Sequence, residues 1–306
     1  MDIETFAAVN ALGKKTKSYA RRITYVLSSR TWTARNPGVL FIRTGGCGGN
    51  GTGGSGPNGG TVGVRMVKVD ADATFTIVIP AAGSRTALTV TGPDAAITVP
   101  AGSDGVAVGA GQPPPNPVPT GLDWYILGGL GGAASRNTGV NGAVYGGGGA
   151  AAMLGVSYNG GSATATSNPN SVNVYGGGAG VGGKGADANM TGGATALVAA
   201  GGGSGAAAWK PSTTDFFGSF FDNREDCVLL VPCLGASVTT NTSAGPGAGG
   251  GGGYSGDGGF GAGAGSSANN PSMTYHGGIC GGGSGVSGSK GGQGMVTLEF
   301  FEELLK

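Results

Sequence analysis

The sequence predicts a mainly β protein in which short β-strands join a lattice of glycine-rich polyproline-II (polyglycine II) helices. Three observations predict it. Glycine supplies 71 of the 306 residues. The glycines recur at every third place, at Gly247, Gly250, Gly253, Gly256 and Gly259, at Gly45, Gly48, Gly51, Gly54 and Gly60, and at Gly282, Gly285, Gly288, Gly291 and Gly294. The segments between these tracts alternate apolar and polar residues as strands do. A three-residue period matches the three residues per turn of polyproline II, which makes no internal hydrogen bonds. Its buried N–H and C=O groups must pair with neighbouring chains, and glycine at the contact lets those chains come close enough. One such helix therefore requires several, and shorter runs at 128–132, 146–149, 176–185 and 201–205 supply them. Collagen is excluded, because 15 prolines against 71 glycines cannot fill a Gly-X-Y repeat. A flexible glycine linker is the competing reading. The large apolar and aromatic side chains between tracts argue against it.

In chain order, residues 1–22 alternate without proline, and Ile3, Phe6, Ala7 and Leu12 share a helical stripe that ends at Gly13. From Ile23 the pattern becomes β-like, through ITYVL, Trp32 and GVLFIRT into the first tract. Four strands follow, TVGVRMVKV, TFTIVI, TALTVT and AAITVP, separated by Asp-, Gly- and Pro-containing turns. They predict a meander or half-sandwich carrying the molecule's one orthodox core. The stretch GQPPPNPVPTG at 111–121 is a stiff connector, read as a spacer with an SH3-type ligand as the alternative. One more strand, LDWYIL, leads to Gly128, where the glycine-rich half begins. The closing QGMVTLEFFEELLK is a strand whose natural partner is GVLFIRT, which would bring both chain ends to one side of the lattice. The expected organisation is an attachment segment at 1–30, a β-rich domain at 31–127, and a glycine lattice with exposed loops and a closing strand at 128–306.

Three segments interrupt the later tracts. Residues 150–175 are rich in Asn, Ser and Thr and include Tyr158 and Asn168. Residues 206–244 crowd Trp209, Phe216, Phe217, Phe220 and Phe221 beside Arg224, and residues 266–276 carry Asn270, Tyr275 and the single histidine, His276. Aromatic, Asn, Ser and Arg residues on loops held by a rigid scaffold are what recognition surfaces use, so these are the candidate binding residues. The phenylalanines read equally well as a satellite core or a subunit interface.

Net charge is +1 with 11% charged residues, which points to neither nucleic acid nor an anionic membrane as a partner. The cations Lys14, Lys15, Lys17, Arg21, Arg22, Arg30, Arg35 and Arg43 nevertheless crowd the N-terminal part, facing only Asp2 and Glu4. With Phe6 they suggest either an attachment region or a solvated face. Cys47, Cys227, Cys233 and Cys280 lack zinc spacing and are expected as buried free thiols. MDIETFAAVN has no apolar signal core and no run approaches a membrane span, so synthesis in a cytoplasm without the usual export is expected. Asp215, Asp222, Glu225 and Asp226 lie in one short run with Arg224 and read as a salt-bridged loop. His276 has no nucleophile or metal partner suggested by spacing, and no strand is followed by GxxxxGK[ST]. The expectation is a protein that is not an enzyme and uses no cofactor or metal. Ice binding would need a flat face of regularly spaced small residues, and the threonines fall mainly in strands and loops.

The order of strand, Trp32-Thr33, Pro37-Gly38-Val39, glycine tract at 45–56, further tracts and the closing Gly292-Gln293-Gly294-Met295-Val296-Thr297-Leu298-Glu299 resembles the glycine-rich domain of bacteriophage tail-fibre and tail-tip proteins. The alternation of tract and loop is similar to the polyglycine-sandwich adhesins at the fibre tips of T-even-like phages. The resemblance covers most of the chain. It departs in the larger β-rich block at 61–108 and in an N-terminus unlike the attachment region of those adhesins. It implies a virion protein made in the host cytoplasm whose loops bind an outer-membrane protein or polysaccharide. Three-fold packing, in which chains share exposed lattice edges, points to a homotrimer, with a monomeric lattice as the alternative, and the basic N-terminal part makes Phe6, Lys14, Lys15, Lys17, Arg21 and Arg22 the candidates for joining other tail proteins. The other function considered is a structural virion component, an adaptor-bound fibre or decoration, without receptor binding.

Overall fold

A computed structural model describes residues 18–137, 142–152, 156–166, 172–181, 183–190, 196–198, 257–265 and 276–304. The fold is mainly β. Strands β1 (Ser18–Val26), β3 (Gly38–Gly45), β4 (Val62–Val69), β8 (Trp124–Ile126) and β15 (Met295–Leu304) form an antiparallel sheet in the order β1-β15-β3-β4-β8. Strands β2 (Arg30–Thr33), β5 (Thr74–Val78), β6 (Leu88–Gly92) and β7 (Ala95–Val99) form a second antiparallel sheet in that order. The alternate residues Leu40, Ile42, Val67, Val69, Val296, Leu298 and Phe300 of the first sheet meet Phe75, Ile77, Leu88, Val90, Ile97 and Val99 of the second in one buried core. Period-two patterning thus produces an ordinary two-layer packing.

The expected pairing of the closing strand with GVLFIRT is present, Met295 opposite Gly45 through Glu302 opposite Gly38. Two expectations change. The segment TVGVRMVKV does not belong with the three strands after it. It pairs with β3 because the tract between them runs out and back, Gly46 and Gly49 donating to the carbonyls of Thr61 and Asn58. The three-strand meander β5-β6-β7 is completed by β2 instead. Residues 18–22, grouped by sequence with a helical segment, belong to β1, because β15 offers Ser18 through Val26 a continuous antiparallel partner from Leu304 to Val296. The stripe residues Ile3, Phe6, Ala7 and Leu12 lie outside the described residues.

The glycine-rich half also contains strands. β9 (Ala134–Arg136), β11 (Ala163–Ala165) and β13 (Ala188–Met190) pair in parallel, as do β10 (Gly142–Tyr145), β12 (Val172–Tyr175) and β14 (Ala196–Val198). Each strand of one sheet is followed in the chain by a strand of the other, giving three stacked arches. Ala134, Val144, Ala163, Ala165, Val174, Ala188 and Met190 fill the space between the sheets.

Glycine segments lie between the sandwich and the arches, and their hydrogen bonding repeats every three residues. In the segment 146–151, the N–H groups of Gly146 and Gly149 donate to the carbonyls of Gly54 and Pro57, at 2.9–3.1 Å. Those of Gly147 and Ala150 donate to Gly161 and Tyr158, and those of Gly148 and Ala151 to Ala264 and Gly261, at 2.8–3.1 Å. Its carbonyls accept from three other directions: Gly285 and Gly282, Gly132 and Gly129, and Ala179. Almost no side chain is involved. A Cβ built on Gly147 would collide with the carbonyl group of Gly177, so at this position only glycine admits the neighbouring chain.

Candidate functional site

Among the described residues of the glycine-rich half, the arches carry an ordered polar surface. Their parallel register sets Ala134, Ala163 and Ala188 side by side, so the chain leaves β9, β11 and β13 at three points separated by one strand spacing, about 4.8 Å. The exits are laced together. The N–H of Asn137 donates to the Ala165 carbonyl at 3.0 Å and its Nδ2 to the Thr166 carbonyl at 2.8 Å. Thr166 repeats the motif one arch on, its N–H and Oγ1 both donating to the Met190 carbonyl at 3.0 and 3.1 Å. Arg136 Nη1 donates to the Gly142 carbonyl at 3.0 Å, across the mouth of the first arch. Arg136, Asn137 and Thr166 are exposed. On the outward face the row Ser135, Thr164, Asn189 is polar, with Ser135 Oγ donating to Thr164 Oγ1 at 3.3 Å. Sequence reading missed this arrangement. Its signal was a short alanine-bearing strand after each tract, in AASR, SATA and DANM, repeating too loosely to stand out in a chain so rich in alanine and glycine.

Of the sequence-derived binding candidates, Trp209, Phe216, Phe217, Phe220, Phe221, Arg224, Asn168, Asn270 and Tyr275 lie outside the described residues; Asn168 falls between β11 and β12. Tyr158 belongs to the glycine bundle. It is half-buried and its carbonyl accepts the Ala150 N–H. His276 is exposed and ties three segments: its N–H donates to Asp257 Oδ1 at 2.7 Å, its carbonyl accepts from Gly258, and its Nδ1 accepts the Lys290 N–H at 3.1 Å. An acceptor Nδ1 places the ring proton on Nε2.

Of the attachment candidates, Phe6, Lys14, Lys15 and Lys17 lie outside the described residues. Arg21 and Arg22 are on β1 and are committed within the chain. Arg21 Nε and Arg43 Nη2 hold the two oxygens of Glu299 at 2.6 and 2.8 Å, and Arg22 Nε holds Glu302 Oε2 at 2.5 Å. Asn36 Nδ2 donates to the other Glu302 oxygen at 2.8 Å. The N-terminal cations are therefore not opposed by Asp2 and Glu4 alone: the closing strand brings them two buried carboxylates from some 280 residues away. Burial acts to raise Glu299, but the hydrogen bonds and charges of Arg43 and Arg21 outweigh it and hold the carboxyl below its ordinary value. Cys47 and Cys280 are buried free thiols, both pushed up by burial. Cys47 Sγ accepts the Gly294 N–H at 3.2 Å, which gives it a packing role. Cys227 and Cys233 lie outside the described residues.

Among the described residues, no three of His, Cys, Asp and Glu are grouped as metal ligands would be. The chain matches no known family model, no curated protein and no solved structure.

Proposed function

We propose that this chain is a bacteriophage tail-fibre or tail-tip protein that binds a host surface receptor, an outer-membrane protein or polysaccharide, through loops carried on a polyglycine-II lattice. The observation that carries the reading is the three-residue rotation of hydrogen bonds around segment 146–151, with three neighbours accepting and others donating. Three-fold helices packed side by side require this pattern, and ordinary strands, which bond in two directions, do not. A bundle braced on all sides is a stiff support, and the laced strand ends of the arches set the points from which the chain departs at one strand spacing. Binding loops on a rigid scaffold are a common division of labour. In this reading the protein is made in the host cytoplasm, assembles as a homotrimer on the virion tail, and has neither enzymatic activity nor a cofactor.

Adsorption competition tests it. Purified protein added to host cells before phage should bind saturably and block adsorption, and replacing Trp209 and Phe217 together should remove the block while particles still assemble. Folded protein that neither binds cells nor competes would overturn the receptor-binding reading.

One observation favours the alternative, a structural virion component. The outer face of the five-stranded sheet exposes Ile23, Tyr25, Met66 and Trp124 on two adjacent cross-strand rows around the Arg21–Glu299–Arg43 cluster, a mixed apolar and charged surface of the kind partner proteins cover. Removing residues 1–17, a cut that spares β1, separates the two functions. Loss of virion incorporation with cell binding retained assigns attachment to the N-terminus.

A further inference from the structure

The proline-rich connector lies against the protein along one edge. From Gly111 to Thr120 burial follows a strict three-residue period: Pro113, Asn116 and Pro119 are buried, and every residue between them is exposed. That is the period of a polyproline-II helix lying with one edge against the protein. The buried edge is firmly fixed. Asn116, only 4% exposed, accepts the Ser103 N–H at 2.9 Å and an Asn58 Nδ2 hydrogen at 3.0 Å through Oδ1, and donates from Nδ2 to the Gly59 carbonyl at 2.7 Å. Asn58 Nδ2 also reaches the Pro114 carbonyl at 2.7 Å and Ser103 Oγ the Pro115 carbonyl at 3.1 Å. Beyond it, Thr120 and Thr98 exchange N–H to carbonyl bonds at 2.9 and 3.1 Å. The carbonyls of Pro114 and Pro115 thus face inward, and their rings face water.

What remains outside is a pair of parallel ridges, Pro114 with Pro117 and Pro115 with Val118, the last 61% exposed. We infer that this ridge is a pre-formed ligand for a partner protein with an aromatic-lined groove of the kind that reads polyproline-II helices. Such grooves grip two residues of each three-residue turn and leave the third pointing away. Here the third residue, Asn116, is the one anchored in the host. A free proline-rich peptide must lose conformational entropy to bind; this one is already held, so the same contacts yield more affinity. No charged residue occurs between Asp104 and Asp123, so recognition rests on ring packing and is insensitive to salt. The footprint of two helical turns is a few hundred Å², which places the complex in the weak, exchangeable class, with Kd of about 10–100 μM. This inference is independent of the receptor-binding reading.

The test titrates the full chain against a panel of purified SH3, WW and profilin-type domains by biolayer interferometry at 50 and 500 mM salt. At least one domain should bind in the stated range, equally at both salts. Pro114→Ala with Pro117→Ala should weaken binding at least tenfold. Val118→Asp does the same by a change that leaves every proline and the buried edge in place. Arg136→Ala, remote from the ridge, should leave binding unchanged. Absence of binding to every groove, or binding that survives both ridge variants, overturns the proposal and returns the connector to a spacer.

Discussion

In the sandwich, Phe75, Ile77, Leu88 and Ile97 exclude water with their side chains, and the backbone pairs in two directions within each sheet. In the glycine bundle there are almost no side chains to pack, and the backbone pairs in several directions. Each ordered glycine gives up roughly 0.5–1 kcal/mol more conformational entropy than alanine. The bundle has little apolar area to set against that cost. What it gains is density, because chains without Cβ atoms approach until carbonyl meets Cα, and each N–H of segment 146–151 finds a carbonyl. The comparison teaches that the two regions should fail differently. The sandwich should tolerate apolar exchanges that conserve volume and suffer most from its removal, whereas the bundle should suffer from any addition.

The largest effect is therefore expected from enlarging a glycine inside the bundle. Gly147 sits where a Cβ would overlap the Gly177 carbonyl, a backbone atom that cannot swing aside. Gly147→Val should destabilise by more than about 4 kcal/mol and abolish the cooperative thermal transition of the bundle, as read by calorimetry. A Gly147→Val protein that melts like the parent would mean that the tracts are held apart by more than this geometry allows.

The matching experiment in the sandwich removes volume. Phe75 is fully buried, with ring centroids 5.9 Å from Trp32, which in turn meets Phe300 edge-on at 5.3 Å. Phe75→Ala should cost about 4 kcal/mol, and Phe75→Leu well under half of that, by urea denaturation. Equal losses would show that specific ring packing dominates this core.

The two regions also differed in how far they could be read from sequence. Period-two alternation placed GVLFIRT, TFTIVI, TALTVT and AAITVP in strands and paired the closing strand with GVLFIRT, because one buried face fixes both the strand and its register. It could not assign TVGVRMVKV to its sheet, since that depends on a glycine tract returning the chain to its starting point, and tract geometry leaves no side-chain trace. Period three marked the tracts but not their partners: any glycine segment is chemically equivalent to any other, so the pairing of Gly147 with Gly161 is not encoded in residue type. The arches were missed for a related reason. Strands of three residues, such as Ala163–Ala165, are too short to show alternation. Of the candidate binding residues, the described part of the chain places Tyr158 in the bundle and His276 at a junction of three segments, roles set by backbone position that residue type does not announce.

Charge gives a smaller effect, centred on Glu299 of β15 in the five-stranded sheet. Glu299 is held below the ordinary glutamate value of 4.5, so the folded state keeps its carboxylate ionised where the unfolded chain would protonate it. Its contribution is fully present above that value, declines as pH falls below it, and is lost once pH passes through the lower folded value. Because Arg21 and Arg43 are both more than half exposed, solvent screens much of the attraction. Glu299→Gln should cost about 1 kcal/mol at pH 7 and flatten the acid limb of the stability curve below about pH 4.5. An unchanged acid limb would assign acid sensitivity to other carboxylates, with Glu302, clasped by Arg22 and Asn36, the next to replace.

An effect of similar size at Gly109 separates two uses of glycine that composition cannot distinguish. Gly109 has φ +88° and open space where a Cβ would go, and its N–H donates to the Ala134 carbonyl at 2.8 Å. Its glycine is required by backbone conformation alone. Gly109→Ala should cost about 1 kcal/mol, the strain of an L residue held at positive φ, and Gly109→Asn less, since asparagine tolerates that region better. At Gly147 the order must reverse, because there the obstacle is the neighbouring chain and a larger side chain makes it worse. Thermal melts of the four variants at these two positions, alanine and asparagine at each, would therefore show opposite rankings. Parallel rankings would mean that positive φ and close approach are not separable in this bundle, and that its glycines answer to a single constraint.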